Sequence, residues 1–239
     1  MFLSVTRCCR IGGVSIQYLM YQGVSLRALI LINKKKQEAI LDFWFKEEFA
    51  ADLEHSSSYL NLWFGASSQT HDDILTRFSS DWACASINEY DDWLENPQGQ
   101  LALLILLDQV TRHIYMGEAR AYCCDAKAQR ICLHGISSGA DHRLSLVQRA
   151  FYYFPLLHAE TLLLQEQSIL LYETLLDLSL PEYRHVFNKF YQYAVYHHDI
   201  IKEYGRFPHR NVVLGRESTA KEQEFLAQVH ISSPSKKKK

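Results

Sequence analysis

The stretch Leu101-Ala-Leu-Leu-Ile-Leu-Leu-Asp-Gln-Val-Thr-Arg-His-Ile-Tyr-Met116 decides the fold class. It runs between Gly99 and Gly117 with no glycine or proline inside it. Sixteen unbroken residues are too many for an ordinary strand of about 5–6. Leu101–Leu107 is apolar on every side, and a helix apolar all round belongs in the middle of a bundle. Two further stretches lack a breaker, 156–180 and 182–204, and only 10 glycines and 5 prolines occur in 239 residues. The reading is an all-α helical bundle or superhelix in a single compact domain.

Local signals place the helix ends. Pro155 suits a first helical position, and the helix behind it is predicted to run to about Leu176. On that helix His158, Leu162, Gln165, Ile169 and Tyr172 share one face, while Glu160 points about 200° away from His158 at ~100° per residue. Residues 189–204 place Phe190, Tyr193, Ala194, His197, Ile201 and Tyr204 on one side, with His198 and Lys202 elsewhere. Gly205 is placed to end this helix in the left-handed conformation. Thr219-Ala-Lys-Glu222 reads as a capping box opening a last helix. Residues 205–217 then form a loop longer than the usual ~2–8 of helical bundles, and long loops are often functional. Earlier, residues 38–49 carry Leu41, Trp44, Phe45 and Phe49 at helical spacing. The acidic stretch 81–95 offers Trp82 and Trp93 as core anchors.

The net charge of −2 is a cancellation. Residues 1–37 hold six basic residues and no acid, and Lys236–Lys239 adds four more. The stretch 38–235 keeps 15 basic residues against all 27 acids, a balance of −12. That argues against a nucleic-acid-binding core, which needs a basic face. No run reaches 18 uninterrupted apolar residues, so no membrane span is expected. The nearest candidate, 11–32, contains Gln17, Gln22 and Arg27. Lys34–Lys36 follow it where a signal peptide would carry small residues and a cleavage site. The organisation read here is a basic N-terminal extension over 1–37, a helical domain over 38–230 and a basic tail over 231–239. The extension is taken as an accessory segment or as translation from an upstream start, with Met20 as the alternative start. A cytoplasmic location is expected. The six cysteines, Cys8, Cys9, Cys84, Cys123, Cys124 and Cys132, include two adjacent pairs and no C-x-x-C. That spacing fits neither zinc nor a disulfide framework, so reduced thiols are expected.

Three polar constellations remain. Gly205-Arg-Phe-Pro-His-Arg-Asn211 and Leu214-Gly-Arg-Glu217 bring Arg206, Arg210, Arg216 and His209 into one loop. Guanidinium forks match carboxylate or phosphate, so the loop is either an anion pocket or is tied down by helix C-termini and core carboxylates. Asp108, Gln109 and Arg112 follow the most apolar run. Asp108 and Arg112, spaced i, i+4 in the favourable order, either fix helix register or line the same cavity as the loop. His158, His197 and His209 are hydrogen-bonded core residues or include a general base. Metal and cofactor binding are not expected: the lone E-x-x-H, Glu182–His185, is half of a di-iron pattern at most. No H-E-x-x-H, P-loop, G-x-S-x-G or G-x-G-x-x-G occurs.

The chain resembles the bacterial domain-of-unknown-function family 924, grouped by fold with tetratricopeptide-like helical proteins. The matching pieces are Leu41-Asp-Phe-Trp-Phe45, Trp63-Phe-Gly65, Leu101-Ala-Leu-Leu-Ile-Leu-Leu-Asp-Gln109 with Arg112, and Phe151 with Tyr153. They continue with Pro155-Leu-Leu-His-Ala-Glu160, Gln165, His197, Gly205-Arg-Phe-Pro-His-Arg-Asn211 and Leu214-Gly-Arg-Glu-Ser218, covering roughly 38–228. The resemblance implies an all-helical, tetratricopeptide-like domain and no particular activity. A 34-residue repeat is not visible, so the tetratricopeptide-like label rests on the resemblance. Three positions depart from the family's usual residue: His113 for Asn, Met116 for Arg, and Ala159 for Ser.

Three functions are carried forward. The first is binding of a small polar or anionic ligand, or a peptide end, in a cleft. That cleft would be lined by Asp108, Gln109, Arg112, His158, Gln165, His197, Arg206, His209, Arg210, Asn211 and Arg216. The second is a hydrolase or transferase on an anionic substrate, with His158 or His209 as base and the loop arginines stabilising charge. The third is a protein-interaction scaffold. The oligomeric state is left open.

Overall fold

The computed structural model describes residues 10–11, 14–15, 25–45, 63 and 67–232. Phe64, Gly65, Met20, Phe49, the cysteine pair Cys8–Cys9 and the Lys236–Lys239 tail lie outside the described residues. The fold is all-α, as the breaker-free stretches imply. The strand structure among the described residues is one small antiparallel pair, β1 (Arg10–Ile11) and β2 (Val14–Ser15), in register Arg10↔Ser15. The sequence reading did not foresee it.

The helices follow in order: α1 (Leu26–Phe45), α2 (Ser68–Ser86), α3 (Pro97–Leu104), α4 (Thr111–Ile114), α5 (Asp125–Ser137), α6 (Leu146–Tyr152), α7 (Phe154–Leu157), α8 (Leu162–Leu178), α9 (Arg184–Tyr204) and α10 (Ala220–Ser232). The chain divides into two compact units. One holds the described residues up to Ile114 together with Tyr122–Pro155, the other Tyr115–Ala121 and the described residues from Leu156. α1 runs across position 38, where the sequence placed the domain edge, and buries Asn33 and Gln37 from the basic stretch.

In the first unit, α3 is the central element. Leu101–Leu107 are at most 1% exposed, matching the all-round apolar pattern. Asn96 caps α3 by accepting from the Gly99 amide, with Pro97 at the first position. Trp82 and Trp93 are both buried anchors. The regular helix stops at Leu104, however. Ile105–Val110 winds as a π-helix, and the Thr111 amide donates to the Leu106 carbonyl five residues back. Such wide turns inside helices concentrate at functional sites. Thr111 repairs the widened ladder. Its hydroxyl lies 2.7 Å from the Leu107 carbonyl, and it accepts the Trp82 indole N–H at 2.7 Å.

In the second unit, α8 and α9 form a hairpin joined through the 3₁₀ turn Pro181–Tyr183. Tyr172 stacks on Phe190 across it at 6.2 Å. α9 buries Val186, Phe187, Phe190, Ala194, His197, Ile200 and Ile201; Phe190, Ala194, His197 and Ile201 are members of the stripe read from sequence, while Tyr193 lies at its exposed edge and Tyr204 is half-buried. Gly205 ends α9 at φ +69°, its amide donating to the Ile201 carbonyl at 2.8 Å. A side chain with a Cβ is rarely tolerated there. The capping box is present: the Thr219 amide donates to Glu222 Oε2 at 2.7 Å, and the Glu222 amide to Thr219 Oγ1 at 3.2 Å.

One helix was misplaced. The predicted continuous helix from Pro155 is two helices, α7 and α8, separated by His158–Thr161. Gln165 holds the break open. Its amide nitrogen donates to the carbonyls of Leu157 at 2.7 Å and Ala159 at 2.8 Å. It thereby satisfies carbonyls that a continued helix would have bonded along the chain.

Candidate functional site

The candidate residues fall into two groups, each described within its own unit. Asp108, Gln109 and Arg112 belong to the first. Asp108 is 1% exposed and accepts from Arg112 Nη2 at 3.2 Å and from Gln109 Nε2 at 2.5 Å. Arg112 Nη2 also donates to Asp125 at 3.0 Å, and the guanidinium lies over the Tyr122 ring at 5.2 Å. Burial works to lower the Arg112 pKa, but Asp108 and then Asp125 outweigh it, and the net shift is upward. The i, i+4 pair exists as read, yet it spans the π segment and needs Asp125 as a third member. His113 packs against His71 with ring centroids 5.7 Å apart. Burial, then the neighbouring His71, push His113 down to about 4, so it is neutral at pH 7.

Between α1 and α2 lies a cavity of about 650 Å³ that the sequence reading did not foresee. Ile32, Ala39, Phe43 and Phe78 form its apolar wall, and Lys35, Lys36, Asp42, Arg77 and Asp81 its polar lining. Lys36 is held by Asp81 at 2.8 Å and by the Tyr90 hydroxyl at 2.6 Å. Arg77 lies over the Phe43 ring at 5.2 Å. The only sequence signal was Lys34–Lys36, read there as the flank of an extension.

The other eight residues belong to the second unit. The loop arginines are partnered as follows. Arg206 donates from Nε and Nη2 to the two Glu222 oxygens at 2.7 and 2.8 Å, and from Nη2 to the Glu217 carbonyl. Arg216 donates to both Glu160 oxygens at 2.7 and 3.0 Å and to the Phe207 carbonyl at 3.1 Å. Both are bidentate pairs, the stronger class of charge-assisted bond. Of the two readings of the loop, tying it to carboxylates describes Arg206 and Arg216.

Glu160 lies in the break between α7 and α8, where the regular-helix angle does not apply. With the helix broken, its carboxylate also accepts the Phe207 amide at 2.8 Å. Burial works to raise the Glu160 pKa, but Arg216, the Phe207 amide and Arg210 together bring it below the usual value. Asn211 is fully buried and donates to Ser218 Oγ at 3.0 Å. Gln165 is fully buried as the cap of α7, and its Oε1 has no protein partner.

The remaining basic residues gather around the fully buried Phe207. His197 lies 5.3 Å and His209 5.5 Å from the Phe207 ring, and Arg210 stacks on it at 4.5 Å. His158 lies 6.2 Å from His197. Arg210 Nη2 donates to the His158 carbonyl at 3.1 Å. His197 Nδ1 sits 2.8 Å from the Tyr193 carbonyl. A carbonyl only accepts, so Nδ1 carries the proton and Nε2 the lone pair. Burial is the first cause pushing His197 down to about 3, followed by the field of His158, with His209 and Arg210 adding to it.

Among the described residues, no group of three or more His, Cys, Asp or Glu side chains is placed to hold a metal ion. No described helix is long and apolar enough to cross a membrane.

No curated protein matches this chain. A family model described as "Bacterial protein of unknown function (DUF924)" matches residues 40–230, reaching into both units. A solved structure of a protein of unknown function from Agrobacterium tumefaciens is 31% identical. The match covers 82% of this chain and 99% of that one, with a TM-score of 0.66. The family match thus spans most of the helical chain described above, and this chain belongs to the DUF924 family of bacterial proteins of unknown function.

Proposed function

We propose that the second unit binds a small anionic ligand, or the carboxylate end of a peptide, at the face formed by His158, His197, His209 and Arg210. One observation carries this reading. His197 from α9 and His209 and Arg210 from the 3₁₀ turn Pro208–Arg210 converge on the Phe207 ring, His158 from the α7–α8 break lies against His197, and after burial these three neighbours depress His197 further. Arg210 is a permanent cation, and a bound anion would favour the charged form of the imidazoles beside it. His197, at about 3, stays neutral at neutral pH, which sets binding ahead of acid–base catalysis and leaves the anion to Arg210, His158 and His209. The chain would be a helical binding protein of the cytoplasm.

Thermal unfolding with inorganic phosphate, acetate, succinate and citrate, against chloride at matched ionic strength, tests this. An anion at 100 times its Kd adds about 2.7 kcal/mol, or roughly 5–10 °C in a chain of this size. His209 is exposed, so His209→Ala should keep the fold and lose much of the gain. If none of the four anions exceeds chloride, the reading fails.

A second reading, a protein-interaction scaffold, is favoured by α8. Leu163, Leu170 and Leu178 are 70%, 63% and 55% exposed and lie within about 80° of one another around the helix. Sedimentation of wild type against Leu170→Glu would reveal association through that stripe.

A further inference from the structure

The adjacent thiols of the first unit belong to none of the clusters above. Cys123 and Cys124 lie between the 3₁₀ turn Ala119–Tyr122 and the start of α5. Their Sγ atoms are 3.6 Å apart. Cys123 is exposed and Cys124 buried, so the pair has one open side. Both flanking residues are fixed by one guanidinium: Arg112 lies over the Tyr122 ring and donates to Asp125. The backbone on either side of the two sulfurs is therefore anchored before any ligand arrives, which lowers the ordering cost of binding.

The geometry points to Cys123 and Cys124 as a vicinal-dithiol site that chelates a trivalent arsenical through both sulfurs. Two sulfurs about 2.3 Å from one pyramidal centre, at an angle of roughly 100°, stand about 3.5 Å apart, close to the 3.6 Å separation here. Direct closure to a disulfide is less suited. Neighbouring Cα atoms are only ~3.8 Å apart across a trans peptide, below the usual disulfide span of about 4.4–6.8 Å. A bridging atom inserted between the sulfurs removes that strain. Zinc would need further ligands, and the described residues bring no third metal-binding side chain to the pair. Trivalent arsenic carries its own substituent and needs only two sulfurs. Burial, then Cys123, push the Cys124 thiol up to about 12, so it stays protonated at neutral pH. The reaction accepts thiols. With an organic arsine oxide, two As–S bonds form, the As–O bond breaks, and the oxygen leaves as water with both thiol protons. Arsenic stays trivalent and no electron is transferred.

The test uses phenylarsine oxide on the full chain carrying Cys8→Ser and Cys9→Ser, which removes the other adjacent pair. The expected result is one equivalent bound per chain, retained against excess monothiol and released by a dithiol. Adding Cys123→Ser, an exposed position, should weaken retention by on the order of 100-fold or more, because the second sulfur no longer acts intramolecularly. Circular dichroism checks that both variants are folded. The proposal is overturned if the first variant holds no arsenical against monothiol, or if Cys123→Ser holds it equally well.

Discussion

Replacing Glu222 with glutamine tests the view that the arginine loop is held by carboxylates. Glu222 is 2% exposed and accepts from Arg206 Nε, Arg206 Nη2 and the Thr219 amide. Arg206, ahead of a smaller opposing burial effect, brings its pKa from the ordinary 4.5 to about 2. At ~1.36 kcal/mol per pKa unit the ceiling is about 3 kcal/mol. The Arg206 side chain is 29% exposed, so solvent screens part of this, and about 2 kcal/mol is the working figure. The folded pKa lies below the unfolded one. The contribution is therefore complete above about pH 5 and is lost as pH falls toward 2. Urea unfolding of wild type and Glu222→Gln at pH 7 should differ by that amount, and the gap should narrow steadily through pH 5, 4 and 3. A gap under about 0.5 kcal/mol at pH 7, or one unchanged at pH 3, refutes the argument.

Other substitutions probe the remaining elements. In Gly135→Ala the new Cβ would clash with the Tyr152 hydroxyl oxygen and stand 2.8 Å from Gln100 Oε1. Displacing the buried Tyr152–Gln100 bond should cost about 3 kcal/mol, read as a lowered urea midpoint. Thr111→Val leaves the buried Trp82 N–H without its acceptor, a loss of about 1–3 kcal/mol accompanied by altered Trp82 fluorescence. Arg216→Lys replaces a fork with a point charge. It should cost about 1–2 kcal/mol and move the Glu160 carboxyl resonance titration upward in NMR.

What the sequence carried was local or periodic. The burial of Leu101–Leu107, the stripe of α9, the left-handed Gly205 and the Thr219–Glu222 box each depend on residues within a few turns. The family strings were legible too, since whole motifs survive in order. The same locality explains the failures. A helix drawn from Pro155 takes no account of Gln165 reaching back to the carbonyls of Leu157 and Ala159, so the helical angle assigned to Glu160 does not apply. The i, i+4 spacing of Asp108 and Arg112 held, but spacing says nothing of a π segment repaired by Thr111, or of Asp125.

The sequence by itself thus determined an all-α chain of this family, with charge divided between an acidic body and basic ends. Helix propensity, capping and apolar period act over a few residues and are written there directly. Only the tertiary structure decided the fate of the loop's charges. Arg206 meets Glu222 across 16 residues and Arg216 meets Glu160 across 56. The choice between an anion pocket and an ion pair depends on which carboxylate is brought near, and that proximity is a property of the packed chain.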